Sequence, residues 1–120
     1  MFDHVGLRTA RLEASIRFYE AALAALGHAV ASRDDSGAGL GPPGAPALWI
    51  SQTKAPAQSS VHLAFTARDR KAVDRFHAAG LEAGGKDNGA PGPRADYGPR
   101  YYAAFLLDPD GNNVEAVCLK

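Results

Sequence analysis

The chain has 120 residues, a size that fits one domain with a single core. Its 13 basic and 13 acidic side chains cancel, which argues against a broad surface for nucleic acid or an anionic membrane. Its single cysteine, Cys118, excludes an internal disulfide framework, and no apolar run approaches the ~20 residues that a membrane-spanning helix needs. We therefore expect a cytoplasmic protein.

A repeat of 58 residues organises the sequence without a gap. The aligned pairs are His4 and His62, Arg17-Phe18 and Arg75-Phe76, and Gly27 and Gly85. Because these spacings agree together, the repeat indicates two copies of one supersecondary unit. We place the first module at about residues 1–57 and the second at about residues 58–120 of a single domain.

In the first module, the pattern predicts a strand, then a helix, then further strands. Alternating apolar residues indicate a strand at about residues 2–9, and apolar residues at three- and four-residue steps indicate a helix at about residues 12–26, which Gly27 ends. The remaining segments are two extended stretches at 29–32 and 47–52, separated by a Gly- and Pro-rich turn region at 36–46.

The second module repeats this order. A strand is expected near residues 60–67 and a helix near residues 70–83. The polar segment 86–100, with three prolines, is expected to be a loop or a broken strand. The chain then reads as a hairpin of strands at 101–107 and 113–119, joined by the turn Asp108-Pro109-Asp110-Gly111-Asn112.

Three candidate metal ligands lie on three of these predicted strands. His4 and His62 hold equivalent positions in the two modules, so pseudo-symmetry would place them across a common cleft. Glu115 lies on the last strand between two apolar residues, where an unpaired carboxylate would be costly to bury. Two imidazoles and one carboxylate form a facial set that binds a divalent ion and leaves positions open for substrate.

The chain resembles the vicinal-oxygen-chelate superfamily, which includes glyoxalases, bleomycin-resistance proteins and extradiol dioxygenases. The resemblance runs from end to end, and its most specific motif is Asp108-Pro109-Asp110-Gly111-Asn112-Asn113-Val114-Glu115. The other matching segments are Asp3-His4-Val5-Gly6-Leu7, Ser15-Ile16-Arg17-Phe18-Tyr19, Leu26-Gly27 and Val61-His62-Leu63-Ala64-Phe65. It implies an α+β fold of two βαβββ modules that form an open cup, with metal ligands at His4, His62 and Glu115.

Departures from the family's motifs limit the reaction that the resemblance implies. The fourth protein ligand of glyoxalase I would fall on Trp49 or nearby on Ser51, and neither is a good ligand. The tyrosine that extradiol dioxygenases carry about ten residues before the glutamate is replaced by Phe105. Fosfomycin-resistance transferases carry a threonine where this chain has Gly6, and the acidic charge of bleomycin-binding members is absent.

We therefore expect a metal-dependent small-molecule enzyme of the glyoxalase or dioxygenase type, with iron, manganese, zinc or nickel as the ion. The alternative is a protein that sequesters a small hydrophobic or aromatic compound without catalysis. The candidate pocket residues are Trp49, Tyr101, Tyr102, Arg94 and Arg100. For each of them the alternative is a packing or surface role. The resemblance also implies a homodimer, with the metal site either within one chain or shared between two.

Overall fold

The structure is a computed structural model that describes residues 1–55 and 60–120, and it contains two βαβββ modules. The first comprises β1 (Val5–Thr9), α1 (Leu12–Ala24), β2 (Ala29–Asp34), β3 (Gly37–Gly41) and β4 (Leu48–Gln52). The second comprises β5 (His62–Thr66), α2 (Arg70–Glu82), β6 (Lys86–Pro93), β7 (Tyr102–Leu107) and β8 (Asn113–Cys118). The predicted α+β fold is thus confirmed, whereas the predicted boundary near residues 57 and 58 lies outside the described residues.

Each module forms its own open four-stranded sheet. The strand orders are β1-β4-β3-β2 and β5-β8-β7-β6, in which β1 pairs with β4 and β5 with β8 in parallel and all other neighbours are antiparallel. Strands β1 and β5 are therefore equivalent edge strands. His62 opens β5, and His4 directly precedes β1. The pseudo-symmetry predicted from the repeat thus places both histidines at sheet edges.

The two modules share one hydrophobic core, in which α1 and α2 pack against each other and against their own sheets. Phe18 of α1 is fully buried in it. A Cβ atom on Gly85 would lie 2.4 Å from the ring of Phe18, so the close approach at this point requires glycine. The largest fully buried apolar side chains are Tyr19, Phe18, Phe76, Ile16, Leu23, Leu40, Ile50 and Leu106.

A buried hydrogen bond also joins the two modules. The hydroxyl of Tyr19 on α1 donates to Asp108 Oδ2 at 2.6 Å, in the turn between β7 and β8. Asp108 further accepts from the backbone N–H groups of Asp110 and Asn112 and from the side-chain amide of Asn112. The turn motif is therefore both a hairpin connection and the anchor of the first helix.

Strand β3 lies within the region that the sequence predicts as a turn. Its composition, Gly37-Ala38-Gly39-Leu40-Gly41, is typical of a loop. Nevertheless it pairs with β2 and β4, and Gly39 leaves the space that the Trp49 ring of β4 occupies. The sequence left open whether the segment 86–100 forms a loop or a broken strand. Strand β6 in this segment is a broken strand, with irregular register on either side of Gly89. No helix in the described part of the chain is long and apolar enough to span a membrane.

Candidate metal and substrate site

His62 and Glu115 lie side by side on neighbouring strands of the second module. His62 Nε2 is 3.0 Å from Glu115 Oε1. The Glu115 side chain is only 3% exposed, whereas that of His62 is 49% exposed. Val114 and Ala116, on either side of Glu115, point into the core. The alternation of β8 therefore places the carboxylate on the opposite face of the sheet, where the pattern of the sequence predicts it.

The hydrogen bond made by the other ring nitrogen of His62 determines the tautomer of its neutral ring. His62 Nδ1 lies 3.1 Å from the carbonyl oxygen of Asn113. A carbonyl only accepts, so Nδ1 carries the proton, and in the neutral ring Nε2 then presents its lone pair to the Glu115 carboxylate. Two lone pairs at this distance need a positive charge between them, either a proton or a metal ion.

Tyr101 holds the second oxygen of Glu115. Its hydroxyl donates to Glu115 Oε2, and this bond, together with burial and the carboxylate charge, raises the pKa of Tyr101 to about 12. The phenol is therefore neutral at pH 7 and donates its proton to the carboxylate. A buried carboxylate with this partner and His62 is held in one orientation.

An aromatic residue, Phe105, and a cationic residue, Arg94, lie next to the His62–Glu115 pair. Phe105, which pairs in register with Glu115, stacks on His62 with ring centroids 6.3 Å apart. The guanidinium of Arg94 lies 5.4 Å from the centre of the Phe105 ring and donates to the carbonyl oxygens of Ala90 and Gly92. Arg94 is thus near the site through Phe105, while its own hydrogen bonds tie it to β6.

In the first module, His4 also has Nδ1 bonded to an oxygen atom and Nε2 open. Its Nδ1 is 2.7 Å from Asp3 Oδ1, which leaves Nε2 free, and its side chain is 59% exposed. His4 and His62 both line one cavity between the modules. Over residues 1–55 and 60–120, however, no three His, Cys, Asp or Glu side chains come close enough together to hold a metal ion. One chain therefore brings His62 and Glu115 together without His4.

Trp49 takes the place in the first module that Glu115 takes in the second. Trp49 pairs with Gly6 of β1 as Glu115 pairs with Ala64 of β5, and Gly6 and Ala64 are 58 residues apart. The Trp49 ring lies over Gly39, where a Cβ atom would be 2.6 Å from it, and the residue is 38% exposed. An indole has no metal-binding lone pair, so this position supplies no ligand.

Two of the candidate pocket residues lie apart from the His62–Glu115 pair. The hydroxyl of Tyr102 donates to Asp74 of α2 at 2.7 Å, and Arg70 lies over its ring. Successive residues of a strand point to opposite faces, which explains why Tyr101 contacts Glu115 and Tyr102 does not. Arg100 is exposed in the turn before β7.

Sequence reasoning missed three contacts of the site. The stacking of Phe105 near His62 follows from the hairpin register, in which a count outward from the turn motif pairs Phe105 with Glu115. The hydrogen bond from Tyr101 to Glu115 does not follow from that count, because Tyr101 precedes β7 and the first residue of β7, Tyr102, pairs with Cys118. The interaction of Asp3 with His4 is a contact between sequence neighbours, and nothing in the pattern distinguishes it from an exposed carboxylate.

Comparisons with known proteins place the chain in a family. Residues 4–117 match the family model described as a glyoxalase-like domain. A glyoxalase/bleomycin resistance protein structure from Albidiferax ferrireducens T118 is 33% identical, with 98% of each chain covered and a TM-score of 0.82. A mutant glyoxalase I from Zea mays is 29% identical over 96% of this chain and 44% of its own, with a TM-score of 0.72.

A third structure, from Burkholderia phytofirmans PsJN, is described as a glyoxalase/bleomycin resistance protein/dioxygenase family enzyme. It is 21% identical over 98% of both chains with a TM-score of 0.75, and this likeness shows the fold. A search among curated proteins gave no match. The match to the family model and the likeness to the Albidiferax protein confirm the resemblance that the motifs indicate, and the chain belongs to the glyoxalase-like domain family within the vicinal-oxygen-chelate superfamily.

Proposed function

We propose that the protein is a metal-dependent enzyme acting on a small molecule, of the glyoxalase or dioxygenase type, with His4, His62 and Glu115 as the ligands of one divalent ion. The observation that carries this proposal is the His62–Glu115 pair, because a buried carboxylate lies 3.0 Å from Nε2 of an imidazole whose other nitrogen bonds to a backbone carbonyl. This arrangement is typical of metal-binding histidines.

The donor atoms fit a metal ion. Two ligands that each lie about 2.1 Å from an ion, at the right angle of an octahedral face, stand about 3.0 Å apart. The observed separation of His62 Nε2 and Glu115 Oε1 is 3.0 Å. When bound, a divalent ion would polarise a substrate oxygen and stabilise negative charge as it develops.

The chain's own residues prepare this site in three ways. Tyr101 keeps its proton and orients Glu115. Phe105 stacks near the His62 ring and provides an apolar neighbour on one side of it. Arg94, next to Phe105, places a positive charge near the site that would stabilise negative charge as it develops on a substrate oxygen.

His4 would come from a second copy of the chain. In one chain His62 and Glu115 form a pair, while His4 joins no group of three within the described residues. Strands β1 and β5, which adjoin or contain the histidines, are sheet edges, and edge strands are normally covered. A homodimer in which the first module of one chain faces the second module of the other would bring Nε2 of His4 to the pair.

A second candidate function is sequestration of a small molecule without catalysis. The same incomplete ligand set in one chain favours it, as does Trp49, which offers an exposed ring in place of a ligand. The two candidates differ in whether purified protein holds a metal ion after dialysis and whether removal of the ion abolishes activity.

Titration of chelator-treated protein with zinc, manganese, nickel and anaerobic iron(II) tests the proposal. We expect saturation at one ion per chain. His4→Ala, His62→Ala and Glu115→Ala should each weaken binding by more than the roughly 10- to 100-fold that loss of an outer-shell partner costs. The matched control is His77→Ala, because His77 bonds to Asp87 away from the site. Binding that is unchanged in Glu115→Ala would contradict the proposal.

The wild-type protein titrated with each metal should also be assayed with catechols and with the hemithioacetal of methylglyoxal and glutathione. Because Trp49 supplies no fourth ligand, we expect little isomerisation of the hemithioacetal. Robust turnover of that substrate would show that the interpretation of Trp49 is wrong.

A further inference from the structure

A cavity of about 370 Å³ lies between the two modules, at the end of the molecule where α1 stops. It is enclosed by the first residues of β1 and β4, the end of β3, and β5 of the other module. Pockets that hold drug-sized molecules have volumes of about 300–1,000 Å³. The apolar side chains that line it are Val5, Leu23, Leu40, Leu48, Leu63 and Phe65.

The charges around this cavity exclude an ionic ligand from its interior. No lysine or arginine lines it within the described residues, and the one carboxylate, that of Asp3, is 96% exposed at the rim and bonded to His4. An ion moved into this space would lose its hydration without a partner of opposite charge. The cavity therefore suits an uncharged molecule.

His28 supplies one polar group in the lining, and it has an unexplained feature. Its Nδ1 is buried and has no hydrogen-bond partner in the described structure. Buried polar groups are nearly always paired, so such an atom calls for an explanation. Burial also lowers the pKa of His28, so the ring is neutral at pH 7.

The tautomer of His28 follows from the orphaned atom. An N–H group buried without an acceptor is rarer in proteins than an acceptor buried without a donor. Nδ1 therefore carries the lone pair and Nε2 carries the proton. Because Nδ1 is buried and His28 lines the cavity, Nε2 is the ring nitrogen left to donate a hydrogen bond to a ligand.

We propose that this intermodule cavity binds a small, uncharged, mostly apolar molecule that offers one carbonyl or hydroxyl oxygen to His28 Nε2. His4 and His62 of one chain both line this cavity, so such a molecule would lie beside two histidines that belong to different metal sites of the proposed dimer. The proposal deepens the proposed function by naming the ligand class and its place. It is tested on metal-free protein, so that its failure and the failure of the metal site can be told apart.

The probe is 6-propionyl-2-dimethylaminonaphthalene, a neutral naphthalene with one carbonyl oxygen, whose emission shifts to the blue in apolar surroundings. We expect saturable binding with one site per chain in chelator-treated protein. The sulfonated probe 8-anilino-1-naphthalenesulfonate should bind far more weakly. Absence of saturable binding of the neutral probe, or equal binding of both probes, would overturn the proposal.

Variants locate the binding. His28→Phe keeps the ring and removes the donor, and should weaken binding about three- to tenfold, as loss of one hydrogen bond does. Ala47→Phe fills the cavity from its rim and should weaken binding at least as much. Ala78→Phe adds the same ring on an exposed part of α2 and should leave binding unchanged.

One further variant keeps the test decisive. His28→Gln retains an N–H donor and should restore part of the affinity that His28→Phe loses, which a purely structural role of His28 would not predict. Equal loss in Ala47→Phe and Ala78→Phe would place the probe elsewhere and contradict the proposal.

Discussion

Glu115 is the residue on which the proposed metal site depends. Its position between Val114 and Ala116, together with the turn motif before it, predicts a metal ligand, and the structure places this side chain buried beside His62. Its partners were harder to predict. Tyr101 lies 14 residues earlier and reaches Glu115 only because β7 and β8 pair in the observed register. Side-chain partners across a sheet depend on register, which composition does not fix.

Tyr101→Phe should weaken metal binding by about tenfold or more while the fold is kept, because an outer-shell partner of a ligand is lost. Calorimetric titration with zinc measures this effect. Tyr97→Phe is the control, since the Tyr97 ring contacts the Tyr101 ring edge-to-face but its hydroxyl makes no hydrogen bond within the described residues. Equal affinity of Tyr101→Phe and the wild type would show that Tyr101 does not position Glu115.

The same variant has a pH dependence with a definite sign. The pKa of Tyr101 is raised from 10.0 to about 12 in the folded protein. A raised pKa means that the stability gained from the protonated phenol is fully present below pH 10 and is lost as the pH rises through about 12. The stability difference between the wild type and Tyr101→Phe, measured in urea, should therefore shrink over that range.

At the scale of elements, the repeat predicted both helices and most strands to within a few residues. It failed at β3, because the glycines of Gly37–Gly41 look like a turn until the space that Trp49 occupies over Gly39 is known. It also could not show how the two modules pack. That depends on contacts between α1 and α2 and on the bond from Tyr19 to Asp108, which join distant parts of the chain.

Tyr19→Phe tests this joint between the modules. It removes the hydroxyl that donates to the buried Asp108, and leaving a buried acceptor without this donor should lower the free energy of unfolding by about 1–3 kcal/mol. Chemical denaturation of the variant measures the loss. Tyr97→Phe, at a residue that is 66% exposed, should change stability by less than about 0.5 kcal/mol. Equal effects of the two variants would contradict the role assigned to Tyr19.

At the scale of the whole molecule, one chain divides the proposed ligands between two modules that pack through their helices. His62 and Glu115 are joined on one sheet, and His4 stands at the edge of the other. The sequence predicted His4, His62 and Glu115 as ligands but left open whether one chain or two would complete the set. Because His4 joins no group of three ligands within the described part of one chain, we propose the shared arrangement, which requires a homodimer.

Mixing two inactive variants tests this shared site most directly. Light scattering must first show a mass twice the 12.6 kDa of one chain. His4→Ala and Glu115→Ala protein, each expected to hold no metal alone, are then unfolded together, refolded and titrated with zinc. In a mixed dimer, His4 of one chain faces intact His62 and Glu115 of the other. With random pairing we therefore expect about a quarter of the wild-type sites to return. A monomeric mass, or a mixture that binds no more zinc than the separate variants, would contradict the shared site.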